Sequence, residues 1–252
     1  MRLGECGVPV PNSVESKEFS MNTLAMLLLL AADLWMAAAG LYYGARIIRR
    51  HRNYLLGLEW LVIGVSGTNV LFLAATGVDH SSVSYHLMVF FDAFSRSFGM
   101  TLVFVLGMMA VTRGYRASPL VEAAAFGAAT VVGLWRTIDV RPVSPPWSLF
   151  YLALNLAVAV FMVTVAGRLW RIGERRCAAG VFIATVLGAI VASTYDFVHI
   201  PGDDADHTLF YIPACAIWAL MVTTYYHGYR ALDDHNRRHP RKAAVTVSAS
   251  PE

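Results

Sequence analysis

Seven apolar stretches divide the chain, and each is long enough to cross the hydrocarbon layer of a membrane as a helix. They cover residues 22–45, 54–77, 85–112, 119–138, 147–167, 177–199 and 208–227. At a rise of 1.5 Å per residue, about 20 helical residues span a hydrocarbon core of ~30 Å. The pattern therefore predicts an all-α integral membrane protein, built as a bundle of seven transmembrane helices.

The basic residues gather at alternate ends of these stretches. When the connections are assigned alternately to two sides, one side receives most of the arginines: Arg46, Arg49, Arg50, Arg52, Arg113, Arg116, Arg168, Arg171, Arg175, Arg176, Arg230, Arg237, Arg238 and Arg241, together with Lys242. Because cations are costly to translocate, the basic side of a membrane protein is cytoplasmic. This asymmetry predicts an inner-membrane protein with its N-terminus outside and its C-terminus in the cytoplasm.

Composition sets the domain organisation. The chain is 57% hydrophobic and 15% charged, which excludes an ordinary soluble domain with about 25% charged residues. We expect a disordered extracytoplasmic segment at 1–20, a seven-helix transmembrane domain at 21–232 and a basic, disordered cytoplasmic tail at 233–252. The sequence leaves open whether translation starts at Met1 or Met21. The net charge of +3 reflects topology, so no nucleic-acid partner is expected.

The two halves of the chain share a pattern. Each half contains two glycines that flank a basic loop, and each half ends in Gly-Tyr-Arg-Ala, at 114–117 and at 228–231. The shared order indicates a three-plus-one-plus-three repeat, in which the fourth span restores the orientation of the second triple. The alternative is chance similarity among helix ends rich in glycine and arginine.

This plan is similar, in organisation only, to that of SWEET-type sugar transporters and of microbial rhodopsins. A retinal protein needs a lysine in its last span, whereas the lysines here are Lys17 and Lys242, both outside the bundle. The proline–glutamine signature of the SWEET family is also absent, because the chain contains no glutamine. Neither resemblance therefore implies a function.

Charged residues inside a hydrocarbon layer are costly, so each is a candidate for function. Asp92 and Arg96 lie about 10 and 16 Å into the third span, at the i,i+4 spacing that favours an ion pair. The predicted ligand-binding residues are Asn69, Asp92, Ser95, Arg96, Asn155, Asp196 and His199, and the predicted proton-coupling residues are Asp33 and Asp196. The alternative is structural, with a self-neutralised ion pair and with asparagines that bond neighbouring helices.

Other polar and aromatic residues fall nearer the ends of the spans. Glu59 and Glu122 are expected to form salt bridges with loop arginines at the membrane interface. Trp60, Tyr225, Tyr226 and Tyr229, among other aromatic residues, are expected to lie in interfacial belts.

Four histidines, His80, His86, His199 and His207, are predicted to lie near acids at the outer face. Such a set could bind a catalytic metal or sense pH. Seven-span hydrolases of the alkaline ceramidase and adiponectin-receptor group carry Ser, Asp and His ligands inside the bundle. Their H-x-x-x-H pair is absent from every span here. We therefore predict no catalytic residue, metal or cofactor.

Together these features predict an outward-facing polar pocket that binds a small polar or charged solute or a proton, in a transporter. Arg96 would hold an anionic group of the ligand, and Asp92 would neutralise Arg96 in the empty site. The alternatives are a sensor or receptor-like protein without enzymatic activity, and a metal-dependent intramembrane hydrolase that uses the outer His and Asp residues. The expected partners are the lipid bilayer and a small-molecule or ion ligand. The sequence does not decide whether the chain forms a homo-oligomer.

Overall fold

Every secondary-structure element is a helix in the part of the chain that the structure, a computed structural model, describes. That part comprises residues 13–77, 79–139, 143–198, 200–201, 203 and 207–239, with the backbone alone for 13–22. The helices are α1 (Ser13–His51), α2 (Tyr54–Thr76), α3 (Val83–Phe94), α4 (Phe104–Thr112), α5 (Pro119–Ile138), α6 (Pro145–Arg171), α7 (Arg175–Thr194) and α8 (Thr208–Arg238). A π-helical segment, Ser95–Val103, joins α3 and α4 into one continuous third span, Val83–Thr112.

Seven helices in the described residues are long and apolar enough to cross a membrane, which confirms the predicted number. Their ends differ from the prediction at both termini. α1 already begins at Ser13, because no glycine or proline interrupts residues 13–39. The segment predicted to be disordered is therefore helical from residue 13 onward, and residues 1–12 lie outside the described part.

α8 also runs further than predicted, so residues 233–238 of the expected disordered tail are helical. Two i,i+4 ion pairs support this extension, Arg230–Asp234 at 3.5 Å and Arg237–Asp233 at 2.9 Å. Asn236 also donates from Nδ2 to the carbonyl oxygen of Val111, 2.7 Å away, which ties the extension to the end of α4. Residues 240–252 are outside the described part of the chain.

The helix ends define two faces of the molecule. The connections at 51–54, 112–119 and 171–175 and the end of α8 form the basic end, and those at 76–83, 138–145 and 194–208 form the opposite end. At the basic end, Asn53 caps α2 by accepting a hydrogen bond from the amide of Leu56 at 3.1 Å, and Ser118 caps α5.

The interior holds the aromatic residues that were expected at the interfaces. Trp60, Tyr225, Tyr226 and Tyr229 are all buried, so the belt prediction is wrong for these four. The ring of Tyr226 stacks on that of Tyr43, with ring centroids 4.5 Å apart, where α1 packs against α8. Because α8 continues to Arg238, these tyrosines lie inside the helix rather than at its end.

The two copies of the tetrapeptide have different conformations. Residues 114–117 follow α4 as an irregular loop, with Gly114 at a φ of 70°. Residues 228–231 lie inside α8. The sequence repeat therefore has no corresponding structural repeat at this tetrapeptide.

The close packing of α1 against α2 at Gly40 and Gly64 allows a prediction about stability. A Cβ atom added at Gly40 would lie 2.6 Å from the amide nitrogen of Gly64 and 2.8 Å from the carbonyl oxygen of Trp60. Gly40→Ala should therefore push the helices apart and destabilise the protein by about 1–3 kcal/mol, the usual cost of overpacking. The measurement is thermal unfolding of purified protein in detergent.

Gly127→Ala is the matched control, because a Cβ at this helical glycine would meet no atom within 4 Å. It should leave the melting temperature unchanged or raise it, since alanine favours a helix by about 1 kcal/mol over glycine. Equal melting temperatures for Gly40→Ala and wild type would contradict the proposed close packing.

Candidate functional site

A group of polar side chains from four elements surrounds Arg96, and we call it the Arg96 cluster. It consists of Asp92, Arg96, Tyr151, Tyr195, Asp196 and Tyr211. Asp92 and Arg96 lie on the third span, Tyr151 on α6, Tyr195 and Asp196 just after α7, and Tyr211 in the second turn of α8. Three residues that the sequence predicted as ligand-binding, Asp92, Arg96 and Asp196, are thus brought together.

The guanidinium group of Arg96 is bonded on its edges and packed on its faces. Its Nη1 lies 3.4 Å from Oδ2 of Asp92, and its Nη2 donates a hydrogen bond to Oδ2 of Asp196. Its Cζ lies 4.0 Å from the ring centroid of Tyr195 and 4.5 Å from that of Tyr151. These contacts leave 13% of the Arg96 side chain exposed. The arginine is therefore a fixed internal cation rather than a free one.

The hydroxyl groups of two tyrosines form a hydrogen-bonded chain that ends on Asp92. Tyr195 donates from its hydroxyl to Oδ1 of Asp92 at 2.8 Å, and the hydroxyl oxygens of Tyr195 and Tyr211 are also 2.8 Å apart. Since the proton of Tyr195 is used on Asp92, Tyr211 must be the donor to Tyr195. Asp92 thus accepts from Arg96 and from the tyrosine chain.

Asp92 is the accessible member of the cluster. Its side chain is 39% exposed, whereas that of Asp196 is 12% exposed. With both carboxyl groups ionised, the two aspartates and one arginine carry a net charge of −1. The cluster therefore carries an excess negative charge, and its more exposed carboxyl group is that of Asp92.

A π-helical segment positions Arg96. Ser95–Val103 has the wider π-helical turn, and such turns often accompany functional sites. Inside the segment, Ser97 donates from Oγ to the carbonyl oxygen of Phe94 at 3.2 Å, and Thr101 donates to that of Ser97. Both hydroxyl groups therefore bond to carbonyl groups about one turn earlier on the same span.

The remaining predicted ligand-binding residues have local roles or lie outside the described part. Asn69 donates from Nδ2 to the carbonyl oxygen of Ser84 at 2.8 Å, which fastens α2 to α3. Asn155 donates to the backbone of its own helix, at the carbonyl oxygen of Tyr151, 2.9 Å away. Ser95 is half-buried, and His199 lies outside the described residues.

Two buried carboxyl groups lie apart from the Arg96 cluster. Asp33 on α1 is 1% exposed and Glu59 on α2 is fully buried, and no side-chain oxygen of either residue has a hydrogen-bond partner among the described residues. Oδ1 of Asp33 lies 3.0 Å from the position of a Cβ at Gly67, and Oε1 of Glu59 lies 2.8 Å from that of a Cβ at Gly99.

The predicted interfacial salt bridges of Glu59 and Glu122 are wrong for the described residues, because neither glutamate forms an ion pair with a described arginine. Glu59 instead enters the space that Gly99 leaves open beside the π-helical segment. The position of Glu59 along α2 did not predict this placement, because the space that its side chain enters depends on Gly99 in another span.

The acids and histidines of the opposite end serve local structure where they are described. Asp79 accepts hydrogen bonds from the amide and the hydroxyl of Ser81 at 2.9 and 2.8 Å, and these bonds lower the pKa of Asp79. Asp203 caps α8 by accepting from the amides of Leu209 and Phe210 at 2.8 and 3.2 Å.

Within the described residues, no three His, Cys, Asp or Glu side chains lie close enough together to hold a metal ion. His86 is 2.9 Å from the carbonyl oxygen of Ser82, and His207 is 3.9 Å from Asp203. His80 packs against the ring of Tyr85, with centroids 4.5 Å apart. The metal-hydrolase alternative therefore gains no support from these residues.

The sequence did not indicate the three tyrosines of the Arg96 cluster. Tyr195 directly precedes Asp196, and Tyr151 lies one turn before Asn155, so both are neighbours of predicted residues. Their closeness in sequence to predicted ligand-binding residues was the one feature that could have indicated them.

Removal of Arg96 tests whether the cluster acts as one electrostatic unit. Arg96→Gln should leave the buried carboxylate of Asp196 without its counter-charge, beside the more exposed Asp92, at a cost of about 3–5 kcal/mol in the free energy of unfolding. Adding Asp196→Asn should recover part of that loss, because one of the two uncompensated negative charges disappears. Thermal unfolding of the single and double variants measures this coupling.

The exposed pair Arg230–Asp234 provides the control, with side chains 48% and 43% exposed. Arg230→Gln should cost about 0–1 kcal/mol, as exposed ion pairs do. Additive effects of Arg96→Gln and Asp196→Asn would show that the two side chains are not coupled.

Comparison of the chain with protein-family models, with curated proteins and with solved structures found no match.

Proposed function

We propose that the chain is a seven-span inner-membrane transporter that binds a proton or a small cation at the Arg96 cluster. The N-terminus lies outside the cell and the C-terminus in the cytoplasm, as the arginines at the basic end favour. Large apolar side chains on the outer surface of the helices support contact with lipid: Leu27, Phe72, Val160 and Ile190 are all more than half exposed.

The charge balance of the cluster favours a cation over an anion. Asp92 and Asp196 together outweigh Arg96, and Tyr151 and Tyr195 cover the faces of its guanidinium group. An anionic ligand would have to displace a carboxylate from Arg96, against the excess negative charge. A cation or a proton would meet Asp92 directly, and Arg96 would remain bonded to Asp196. This is the single observation that carries the proposal, and it replaces the expectation that Arg96 holds an anionic group.

The proposed entry route is from outside the cell. Asp92 lies on the half of the third span that is nearer the opposite end, and its side chain is the exposed member of the cluster. Under the proposed topology this end faces the exterior. The tyrosine chain from Tyr211 through Tyr195 to Asp92 gives a proton a hydrogen-bonded path to the same carboxylate.

Asp33 and Glu59 support transport rather than sensing. An ionised carboxylate buried without a partner is so costly that the group is normally neutral. We therefore infer that both residues carry a proton in the resting protein. They provide two further proton-binding positions in the helix interior, beyond the Arg96 cluster. Ionisable residues at several positions inside a bundle are typical of proton relays in pumps and transporters, and this favours transport.

Replacement of Asp92 tests the proposed ligand class. Wild-type protein in detergent should be stabilised by choline or tetramethylammonium, and not by acetate or phosphate at equal ionic strength. Saturation at about 100 times the dissociation constant corresponds to about 2.7 kcal/mol of stabilisation. Asp92→Asn should abolish the effect, because the amide removes the accessible charge and keeps the shape. Thermal-shift measurements quantify the binding, and currents after cation or pH jumps on proteoliposomes report transport.

Asp79→Asn is the matched control, since Asp79 is an exposed acid in the loop next to the third span and asparagine can keep its turn. It should bind cations as wild type does. Stabilisation by acetate or phosphate that depends on Arg96 would instead favour an anionic solute. Cation binding that survives Asp92→Asn would contradict the proposed site.

Infrared spectroscopy tests the protonation of the buried acids. A neutral carboxyl group absorbs in a C=O band that is separate from the carboxylate bands. Asp33→Asn and Glu59→Gln should each remove one component of that band, because each amide replaces a protonated acid. The exposed Glu174 provides the control, as Glu174→Gln should leave the band unchanged. A band that is the same in wild type and in both variants would show that Asp33 and Glu59 are ionised.

A further inference from the structure

A second polar site lies at the basic end, in a cleft of about 190 Å³ that we call the basic cleft. The cleft is lined by residues 51–55 of the α1–α2 connection, by 106, 107, 110 and 115–117 around the end of α4, by 122 of α5 and by 229 of α8. None of the predicted ligand-binding residues lines it. The basic cleft is therefore separate from the Arg96 cluster.

Two arginines in the basic cleft have no acidic partner. Arg52 and Arg116 are exposed, and the side chain of neither forms a hydrogen bond or ion pair with another described residue. Nearby acids are already engaged, because Asp233 lies 2.6 Å from His51 and 2.9 Å from Arg237. Glu122 is the one acid in the lining, so the two arginines leave the cleft with an excess positive charge.

The floor of the cleft presents a buried hydrogen-bond donor. Asn53 donates from Nδ2 to the carbonyl oxygen of Gly107 at 2.8 Å and to the hydroxyl oxygen of Tyr229 at 3.1 Å. The Tyr229 hydroxyl therefore accepts from Asn53, and its own proton is not used in a bond to another described residue. Tyr229 is 2% exposed, so its ring and neighbours hold this donor in place.

The cleft also brings together both copies of the repeated tetrapeptide. Tyr115 and Arg116 come from the first copy and Tyr229 from the second. The first copy is a loop and the second is helical, so the same residue types reach the cleft from different backbone conformations.

We propose that the basic cleft binds a phosphate group, carried either by an anionic lipid headgroup or by a small soluble phosphate. Arg52 and Arg116 supply charge-assisted donors from the walls, and the Tyr229 hydroxyl supplies one from the floor. The volume is below the ~300–1,000 Å³ of drug-sized pockets, which suits one phosphate group rather than a whole nucleotide. The cleft lies where the helices end at the basic end, the level at which basic pockets meet lipid headgroups.

The test compares two charge-matched double variants in neutral detergent. In the first, Arg52→Asn and Arg116→Gln remove both cleft arginines; asparagine is chosen because Arg52 has a φ of 51°, which asparagine adopts readily. In the second, Arg49→Gln and Arg50→Gln remove two exposed arginines from the last turn of α1 that do not line the cleft. Native mass spectrometry measures retention of phosphatidylglycerol against phosphatidylcholine, and thermal shift measures stabilisation by inorganic phosphate against chloride at equal ionic strength.

Wild type and the Arg49/Arg50 variant should bind the phosphate group alike, and the Arg52/Arg116 variant should bind it at least tenfold more weakly. Retention of phosphatidylglycerol alone identifies a lipid headgroup, and stabilisation by inorganic phosphate identifies a soluble phosphate. Equal losses in both double variants would overturn the proposal, because they would reflect general surface charge. Absence of any phosphate-dependent binding in wild type would overturn it as well.

Tyr229→Phe gives a second test that removes one hydroxyl and leaves both arginines. The variant should bind the same probe several-fold more weakly, because the floor donor is lost. Unchanged affinity would remove Tyr229 from the proposed site, and with it the argument that the cleft is built for an anion. The outcome is independent of cation binding at Asp92.

Discussion

A guanidinium group enclosed by apolar helices needs counter-charges and hydrogen-bond acceptors close to it, and this requirement organises one half of the bundle. Arg96 meets it with Asp92 on its own span and with Asp196, which is 100 residues away in the sequence. Tyr151 and Tyr195 cover its faces, and Tyr211 completes the hydrogen-bonded chain. One buried cation thereby fixes the relative positions of the third span, α6, the end of α7 and the start of α8.

Much of the fold follows from the hydrophobic pattern. Continuous apolar runs and basic connections predict seven helices, and the structure has seven candidate spans in nearly the same places. The i,i+4 spacing of Asp92 and Arg96 also predicts their ion pair, because neighbours on a helix face meet through local geometry. The ends of α1 and α8 were less predictable. Sequence hydropathy reports the apolar part of a helix, whereas α8 is extended by charged pairs and by Asn236.

The rest of the candidate site depends on contacts between distant segments. Tyr195 reaches Asp92 across 103 residues, and no local pattern encodes that approach. Asn69 and Asn155 were reasonable candidates by depth, yet each bonds a nearby backbone carbonyl group. Glu59 was placed at an interface by counting residues along α2, whereas its side chain enters the space beside Gly99 of another span. The repeat and the membrane orientation stay predictions, and the unequal conformations of the two tetrapeptides give the repeat no support.

The π-helical segment links the two ends of the third span in rotation. An α-helix turns by about 100° per residue, so the number of residues in Ser95–Val103 sets the angle at which Asp92 on one side and Gly107 on the other face their neighbours. Loss or gain of a single residue there would turn one end relative to the other by roughly that angle. The direction in which Asp92 points is therefore linked to the direction in which Gly107, in the wall of the basic cleft, points. A change of winding in this segment would therefore couple the rotation of the third span at the Arg96 cluster to its rotation at the basic cleft.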